Sequence, residues 1–362
     1  MRVLTVVGNR PQFIKAAAVS PLLRRDGEEL LVHTGQHFDD ELSAVFFAEL
    51  GLPAPDVQLE ISGGSNTSQS ARMLAALDPV ITEARPDCVL VYGDTNSTLA
   101  GALVAAQRGV PVAHVEAGMR SFDRRMPEEL NRVVTDHLSA LLLCSSEVAV
   151  GNLAAEGIVG SGYLARVEVV GDVMVDVALG LQPRARQRLD LVRAHGVEAG
   201  RYLLATAHRA GNVDQTDRLT ALVELLLGVE EDVVLPLHPR TRARLQSTGM
   251  LERLTGSERV HVTAPLGYVE LTALLCNARA VLTDSGGLQK EAYLAGVPCV
   301  TMRANTEWVE TVEAGWNALV DLDLAATRAA LAAPMPQSRP TLYGDGRAGE
   351  RVVAALTAAF GN

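Results

Sequence analysis

The sequence predicts an α/β protein made of two doubly wound, Rossmann-like domains facing a cleft. Three observations lead there. The chain has 362 residues, a length that suits two domains better than one. Short, near-continuous apolar runs rich in strand formers recur along it, and such runs mark parallel strands covered on both faces. Helical patterns fill most of the intervals between them, as strand–helix–strand units require.

The elements follow in order. Val3–Val7 is a strand that stops at Gly8-Asn9-Arg10-Pro11, and Pro11 suits a helix start, where its missing N–H is not needed. Leu30–His33 and Cys88–Tyr92 are strands, the latter running into Gly93-Asp94-Thr95-Asn96 and a helix over 96–108. The strand Val110–Val115 ends at Glu116-Ala117-Gly118. Met126-Pro127-Glu128-Glu129 opens a helix over 128–139, with acids in the turn where the helix dipole favours them. Ala140–Cys144 and Val167–Val170 complete the first series. The chain divides near 171–181, before the basic segment Arg184–Arg193, which sets the expected domains at 1–172 and 173–346. The second series is Tyr202–Thr206, a helix over 217–227, Val233–Leu237, Val260–Val262, Val281–Thr283, a helix over 288–295 and Cys299–Met302. Residues 347–360 read as a final helix.

Composition excludes some functions. A net charge of −11 and a pI near 5.3 argue against nucleic-acid or anionic-membrane surfaces. No apolar run is long enough to span a bilayer, and Met1–Gly8 reads as a buried strand, not a signal peptide. Cys88, Cys144, Cys276 and Cys299 lack metal-like spacing and lie in apolar stretches, so they read as buried free thiols of a cytoplasmic protein. Of 32 Lys and Arg residues only Lys15 and Lys290 are lysines, each in a Gly- or Pro-marked loop–helix segment, which hints at chemical selection of an ammonium. Gly160-Ser161-Gly162-Tyr163-Leu164-Ala165 matches a dinucleotide fingerprint in letters only. It runs from helix to strand, the reverse of the order that motif needs, and reads as a loop.

In doubly wound sheets, ligands bind at the carboxyl ends of strands. Arg10 and Lys15 near one helix start oppose its dipole unless an anion fills the site. Asp94 alone is most simply a helix cap, as are Thr95 and Asn96. Glu116, at a buried strand end ahead of a glycine, is harder to explain structurally, whereas Glu128 and Glu129 both suit a helix first turn. If Asp94, Glu116 and Glu128 converge, repulsion and desolvation separate their pKa values, and one site can hold both acid and base. In the second half, His208, Arg209 and His238 end strands where a phosphate could meet them. Ser285, Gly286, Gly287 and the next N–H groups can hold a diphosphate, and Glu291 can accept from a ribose diol.

The ordered set Gly8-Asn9-Arg10-Pro11, Gly35-Gln36-His37, Gly93-Asp94-Thr95-Asn96, His114-Val115-Glu116-Ala117-Gly118, Pro127-Glu128-Glu129-Leu130-Asn131-Arg132, Thr206-Ala207-His208-Arg209, Asp284-Ser285-Gly286-Gly287 and Tyr343-Gly344-Asp345-Gly346-Arg347-Ala348 resembles the non-hydrolysing UDP-N-acetylglucosamine 2-epimerases over nearly the whole chain. The resemblance implies a GT-B fold, a homodimer and a C-terminal helix, 347–362, that returns to the first domain. It implies reversible conversion of UDP-N-acetylglucosamine to UDP-N-acetylmannosamine, which serves cell-surface polysaccharide synthesis. It assigns Asp94, Glu116 and Glu128 as catalytic carboxylates and His208 as the histidine near the diphosphate. It assigns Arg10, Lys15, Ser285, Gly286 and Glu291 as UDP contacts.

The chemistry agrees. The proton on C2 is not acidic, so inversion needs either transient oxidation or loss of UDP to a glycal and its re-addition. The sequence has no nicotinamide fingerprint, and the second route needs a base, a proton donor and cations for the departing diphosphate. Neither a cofactor nor a metal is expected. Three departures from the family stand out. Gly211 occupies the place of a glutamate after His208-Arg209, Trp308-Val309 replaces Arg-Pro, and Phe38-Asp39-Asp40 replaces a Met-Leu-rich segment. A GT-B glycosyltransferase, a hydrolysing epimerase and a silent UDP-sugar sensor are the alternatives.

Overall fold

The structure is a computed structural model and describes residues 1–36, 50–159 and 165–361. His37, Phe38-Asp39-Asp40 and Gly160–Leu164 lie outside the described residues. The chain forms two compact units, 1–177 with 343–362, and 178–342.

The first unit holds β1 (Arg2–Val7), β2 (Glu28–His33), β3 (Val57–Gln58), β4 (Cys88–Tyr92), β5 (Val112–Ala117), β6 (Leu141–Cys144) and β7 (Arg166–Val169). They lie in the order β3-β2-β1-β4-β5-β6-β7, and the pairings described are parallel. The order reverses between β1 and β4, which is where such sheets open a crevice at the strand ends. Alternate residues feed opposite faces. Val3, Val7, Leu31, Leu90, Tyr92 and Leu143 meet one cluster, while Leu4, Val6, Val32, Val89 and Val91 meet another.

The C-terminal helix Ala348–Phe360 packs Val352, Ala355 and Leu356 into the first of these clusters. Asp176 accepts hydrogen bonds from its Ala348 and Gly349 amides at 3.1 and 2.7 Å. The last helix belongs to the first unit. The expected division at 172 falls short, because Val173 is in that same core and Asp176 caps the helix. The unit boundary consequently lies after Val177, and the second unit ends at Leu342 instead of 346.

The second unit holds β8 (Tyr202–Thr206), β9 (Asp232–Pro236), β10 (Val260–Thr263), β11 (Ala280–Thr283), β12 (Cys299–Thr301) and β13 (Asn317–Leu319), ordered β10-β9-β8-β11-β12-β13. Its reversal lies between β8 and β11. The four cysteines are buried and free, and burial pushes the Cys276 thiol up to about 11. Among the described residues no helix is long and apolar enough to cross a membrane.

Candidate active site

In the first unit, the loop after β1 is fixed by a residue that sequence reasoning passed over. Buried Gln12 accepts from Gly8 N at 2.7 Å and donates to the Tyr92 carbonyl and Thr98 Oγ1 at 2.8 and 2.9 Å. It clamps this loop to the end of β4. Asn9 caps the helix Arg10–Ala17 and accepts from Gln12 N. Arg10 is exposed at the helix start. Lys15 is not part of that start, because the helix has only eight residues and Lys15 lies in its last turn. There it complements the dipole and pairs with Glu116. Burial pulls the Lys15 ammonium down, but Glu116, Asp94 and Asp172 outweigh it and leave it raised.

Three strand-end residues lie around Lys15 or act on its charge. Gly93 has φ +64°, and a Cβ there would lie 2.9 Å from Lys15 Nζ and 3.2 Å from Glu116 Oε2. Glycine suits the angle, and any Cβ there would push on the Lys15–Glu116 pair. Asp94 follows directly, and it is not the cap of the next helix. Thr95 is, with Thr98 completing a capping box. The Asp94 carboxylate is instead gripped by Arg132, 2.6 Å from NH2 and 3.1 Å from Nε. Glu116, the penultimate residue of β5, has φ +75°, a strained value for a residue with a Cβ, at an irregularity in the β5–β6 register.

The helix Pro127–Leu138 separates the two first-turn acids that the sequence left equivalent. Glu129 is buried. It accepts from the Ser121 and Phe122 amides, both at 2.9 Å, and pairs with Arg132 at 2.8 Å. Burial alone would raise the Glu129 carboxyl, but these bonds outweigh it and hold it below its ordinary value. Glu129 thus ties the 121–122 loop to Arg132. Glu128 is exposed and has no ion pair among the described residues. Asn131 and Arg132, three and four positions after Glu128, both reach the Asp94 turn, Asn131 by donating to the Asp94 carbonyl at 2.9 Å. Side chains at that spacing share a helix face. Glu128 therefore stands on the face turned to Asp94.

In the second unit, β8 and β11 end side by side. Asp284, fully buried, accepts from the His208 and Arg209 amides at 3.1 and 3.0 Å and from Asn212 at 3.2 Å. This single carboxylate organises the His208 loop. The His208 ring is 3.7 Å from Asp284 and its centroid 6.2 Å from that of His238. Burial lowers the His208 imidazole; Asp284 opposes this, and Arg209 and His238 add to it. His208 is accordingly not a standing cation like the arginines. His238 caps its own helix by accepting from Arg240 N.

Ser285 opens the helix Gly286–Ala295 without a side-chain cap hydrogen bond. Trp308 Nε1 donates to the Gly286 carbonyl at 2.7 Å, so this departure from the family pattern anchors the glycine turn. Lys290, nine-tenths buried, stands 4.9 Å from the centroid of the Trp308 ring. Glu291 accepts from Tyr268 Oη at 3.2 Å. Both lysines of the chain thus stand beside candidate ligand-binding turns, Lys15 partly buried and Lys290 buried.

Gly211 lies in the short helix Ala210–Val213, and a Cβ there would meet nothing within 4 Å. It borders a cavity of about 410 Å³ lined also by Arg209, Arg218 and Arg303. The backbone therefore admits other residues. Gly211→Ala is expected to stabilise the second unit by about 0.5–1 kcal/mol, and Gly211→Glu to fold and retain turnover. Thermal melts and a coupled assay check both.

Comparison with known proteins gives a consistent picture. The family model described as UDP-N-acetylglucosamine 2-epimerase matches residues 22–357. A Pseudomonas aeruginosa protein named UDP-2,3-diacetamido-2,3-dideoxy-D-glucuronate 2-epimerase is 47% identical over 98% of this chain and 99% of its own. The UDP-N-acetylglucosamine 2-epimerase of Methanocaldococcus jannaschii is 39% identical over 99% of both chains. Its crystal structure in complex with UDP-GlcNAc and UDP resembles this one with a TM-score of 0.83, at 38% identity, over 99% of this chain and 100% of that one. The UDP-GlcNAc 2-epimerase of Neisseria meningitidis bound to UDP-GlcNAc gives 0.82 at 28% identity, over the same shares of the two chains. The GT-B type of fold expected from the sequence is borne out by these likenesses.

Proposed function

Since the chain belongs to the UDP-N-acetylglucosamine 2-epimerase family, we propose that it interconverts UDP-N-acetylglucosamine and UDP-N-acetylmannosamine by elimination and re-addition of UDP. The observation that carries this reading is the pair of carboxylates Asp94 and Glu116 at the ends of neighbouring strands, each paired with its own cation, Arg132 or Lys15. In the first half-reaction a carboxylate takes the C2 proton while the C1–O bond to UDP breaks, and the C–H electron pair becomes the C1=C2 bond. In the second, UDP oxygen re-attacks C1 and a proton is delivered to C2 from the opposite face. Asp94, Glu116 and Glu128 supply the proton transfers.

The diphosphate is received by the amides of Ser285, Gly286 and Gly287 and by His208, Arg209 and His238, with Glu291 on the ribose. Arg10 and Lys15 are the first-unit cations that the family resemblance assigns to UDP. The lowered His208 suits this role, since it can accept a proton as the diphosphate charge arrives. A homodimer is supported by the exposed apolar row formed by Leu130 and Val134 of the helix Pro127–Leu138 and its N-cap residue Met126. A cytoplasmic location is supported by the four unpaired thiols.

Turnover in D2O tests the mechanism. Product is expected to carry deuterium at C2, because the original hydrogen leaves on a protein group; full retention of hydrogen overturns elimination. A second reading, with a 2,3-diacetamido glucuronate as the sugar, is favoured by the 47% identity to the Pseudomonas aeruginosa protein of that name. The same experiment with both nucleotide sugars, followed by NMR, decides between them.

A further inference from the structure

Beneath the first-unit carboxylates lies a buried charged group that the proposed reaction does not itself use. His114 is in β5, two residues before Glu116, and is fully buried. Its Nδ1 is 2.6 Å from Asp136 Oδ1 and its Nε2 is 2.8 Å from the Gly93 carbonyl oxygen. Neither neighbour can donate: one is a carboxylate and the other a carbonyl. A neutral ring would aim a lone pair at one of them in a site without water access, which is costly.

The surrounding charges point the same way. Asp136 Oδ2 also accepts from Gly118 N at 3.1 Å and pairs with Arg120 at 2.7 Å. The Arg120 side chain is almost fully buried, and its other nitrogens meet both oxygens of Glu156 at 2.7 Å. Arg120 is thus shared between buried Asp136 and the solvent-exposed Glu156, so Asp136 does not have the guanidinium to itself. A cationic His114 completes its counter-charge.

We propose that His114 is a buried imidazolium that acts as a positioning residue, clasping the Gly93-Asp94 turn to the Glu116–Gly118 turn. Nε2–H holds the carbonyl of the residue before Asp94. Nδ1–H holds Asp136, whose second oxygen holds the amide two residues after Glu116. The clasp thus fixes the separation of the two carboxylates and sustains the left-handed backbone of Glu116, which strain would otherwise relax. This role in catalysis rests on the function proposed above; the protonation state does not.

The test has two arms. In 15N-labelled native protein, long-range 1H–15N spectra are expected to show both His114 ring nitrogens carrying hydrogen at neutral pH, with assignment by loss of the signals in His114→Asn. A single ring N–H overturns the proposal, whatever the activity. In the kinetic arm, His114→Asn is expected to lower kcat about 10²-fold, the scale of a misplaced reacting group, with KM within about twofold. A variant that folds with unchanged kcat also overturns it. Lack of epimerisation by the native enzyme would count against the function proposed above, and the spectra would still decide the state of the ring.

Discussion

Glu128→Gln is expected to reduce turnover by about 10²–10⁴-fold, the usual contribution of a positioned proton-transfer group, while UDP binding measured by calorimetry stays within about twofold. Glu128 is exposed and lacks an ion pair among the described residues, so the amide removes no structural contact and the fold is expected to be intact. Glu129→Gln provides the contrast. It disturbs the Ser121, Phe122 and Arg132 bonds, so its activity loss is expected to come with lowered stability. Undiminished turnover in folded Glu128→Gln would remove that residue from the chemistry.

Asp136→Asn is expected to cost about 3–5 kcal/mol of stability at neutral pH, because it takes the carboxylate from buried His114 and leaves Arg120 with Glu156 alone. Urea unfolding followed by far-ultraviolet circular dichroism measures this as a lower midpoint. Burial opposes ionised Asp136, but His114 and Arg120 outweigh it and hold the carboxyl below its ordinary value. A group depressed on folding contributes stability above its unfolded pKa, about 3.9, and that contribution is lost as pH falls through the folded value. The gap between native chain and variant is therefore expected to be full at neutral pH and to close in strong acid. A gap that widened on acidification would contradict the pairing.

Most of the sheet scaffold was legible because buried parallel strands are written as unbroken apolar runs. Val57–Gln58 and Asn317–Leu319 were not, since two or three residues at a sheet edge carry no periodic signal. The helix Asn66–Ala84 was obscured by Pro79 in its interior. At the site, strand ends exposed Asp94, Glu116, His208 and Ser285, because a polar residue after an apolar run is conspicuous. The supporting residues were less visible. Gln12, Glu129, Arg132 and Asp136 look like ordinary helix residues until the fold shows which faces are buried. His114 carried the one usable signal, a polar side chain inside the run Val112–Val115, and Asp284 carried its analogue at the end of β11. Lys15 stands about one turn beyond Arg10, as read, but that turn is the helix's last, because the length of an eight-residue helix is not written in its sequence.

The anchoring of the Gly286 carbonyl by Trp308 has an optical consequence. The chain has only two tryptophans, Trp308 and Trp316, and both belong to the second unit. Trp308 is hydrogen-bonded to the very turn proposed to receive the diphosphate, whereas Trp316 donates to the Ser338 carbonyl. Native indole emission is therefore a label-free report on the second unit alone. Trp316→Phe would narrow it to one chromophore beside the phosphate turn, on which nucleotide occupancy can be followed in real time while the first unit stays dark.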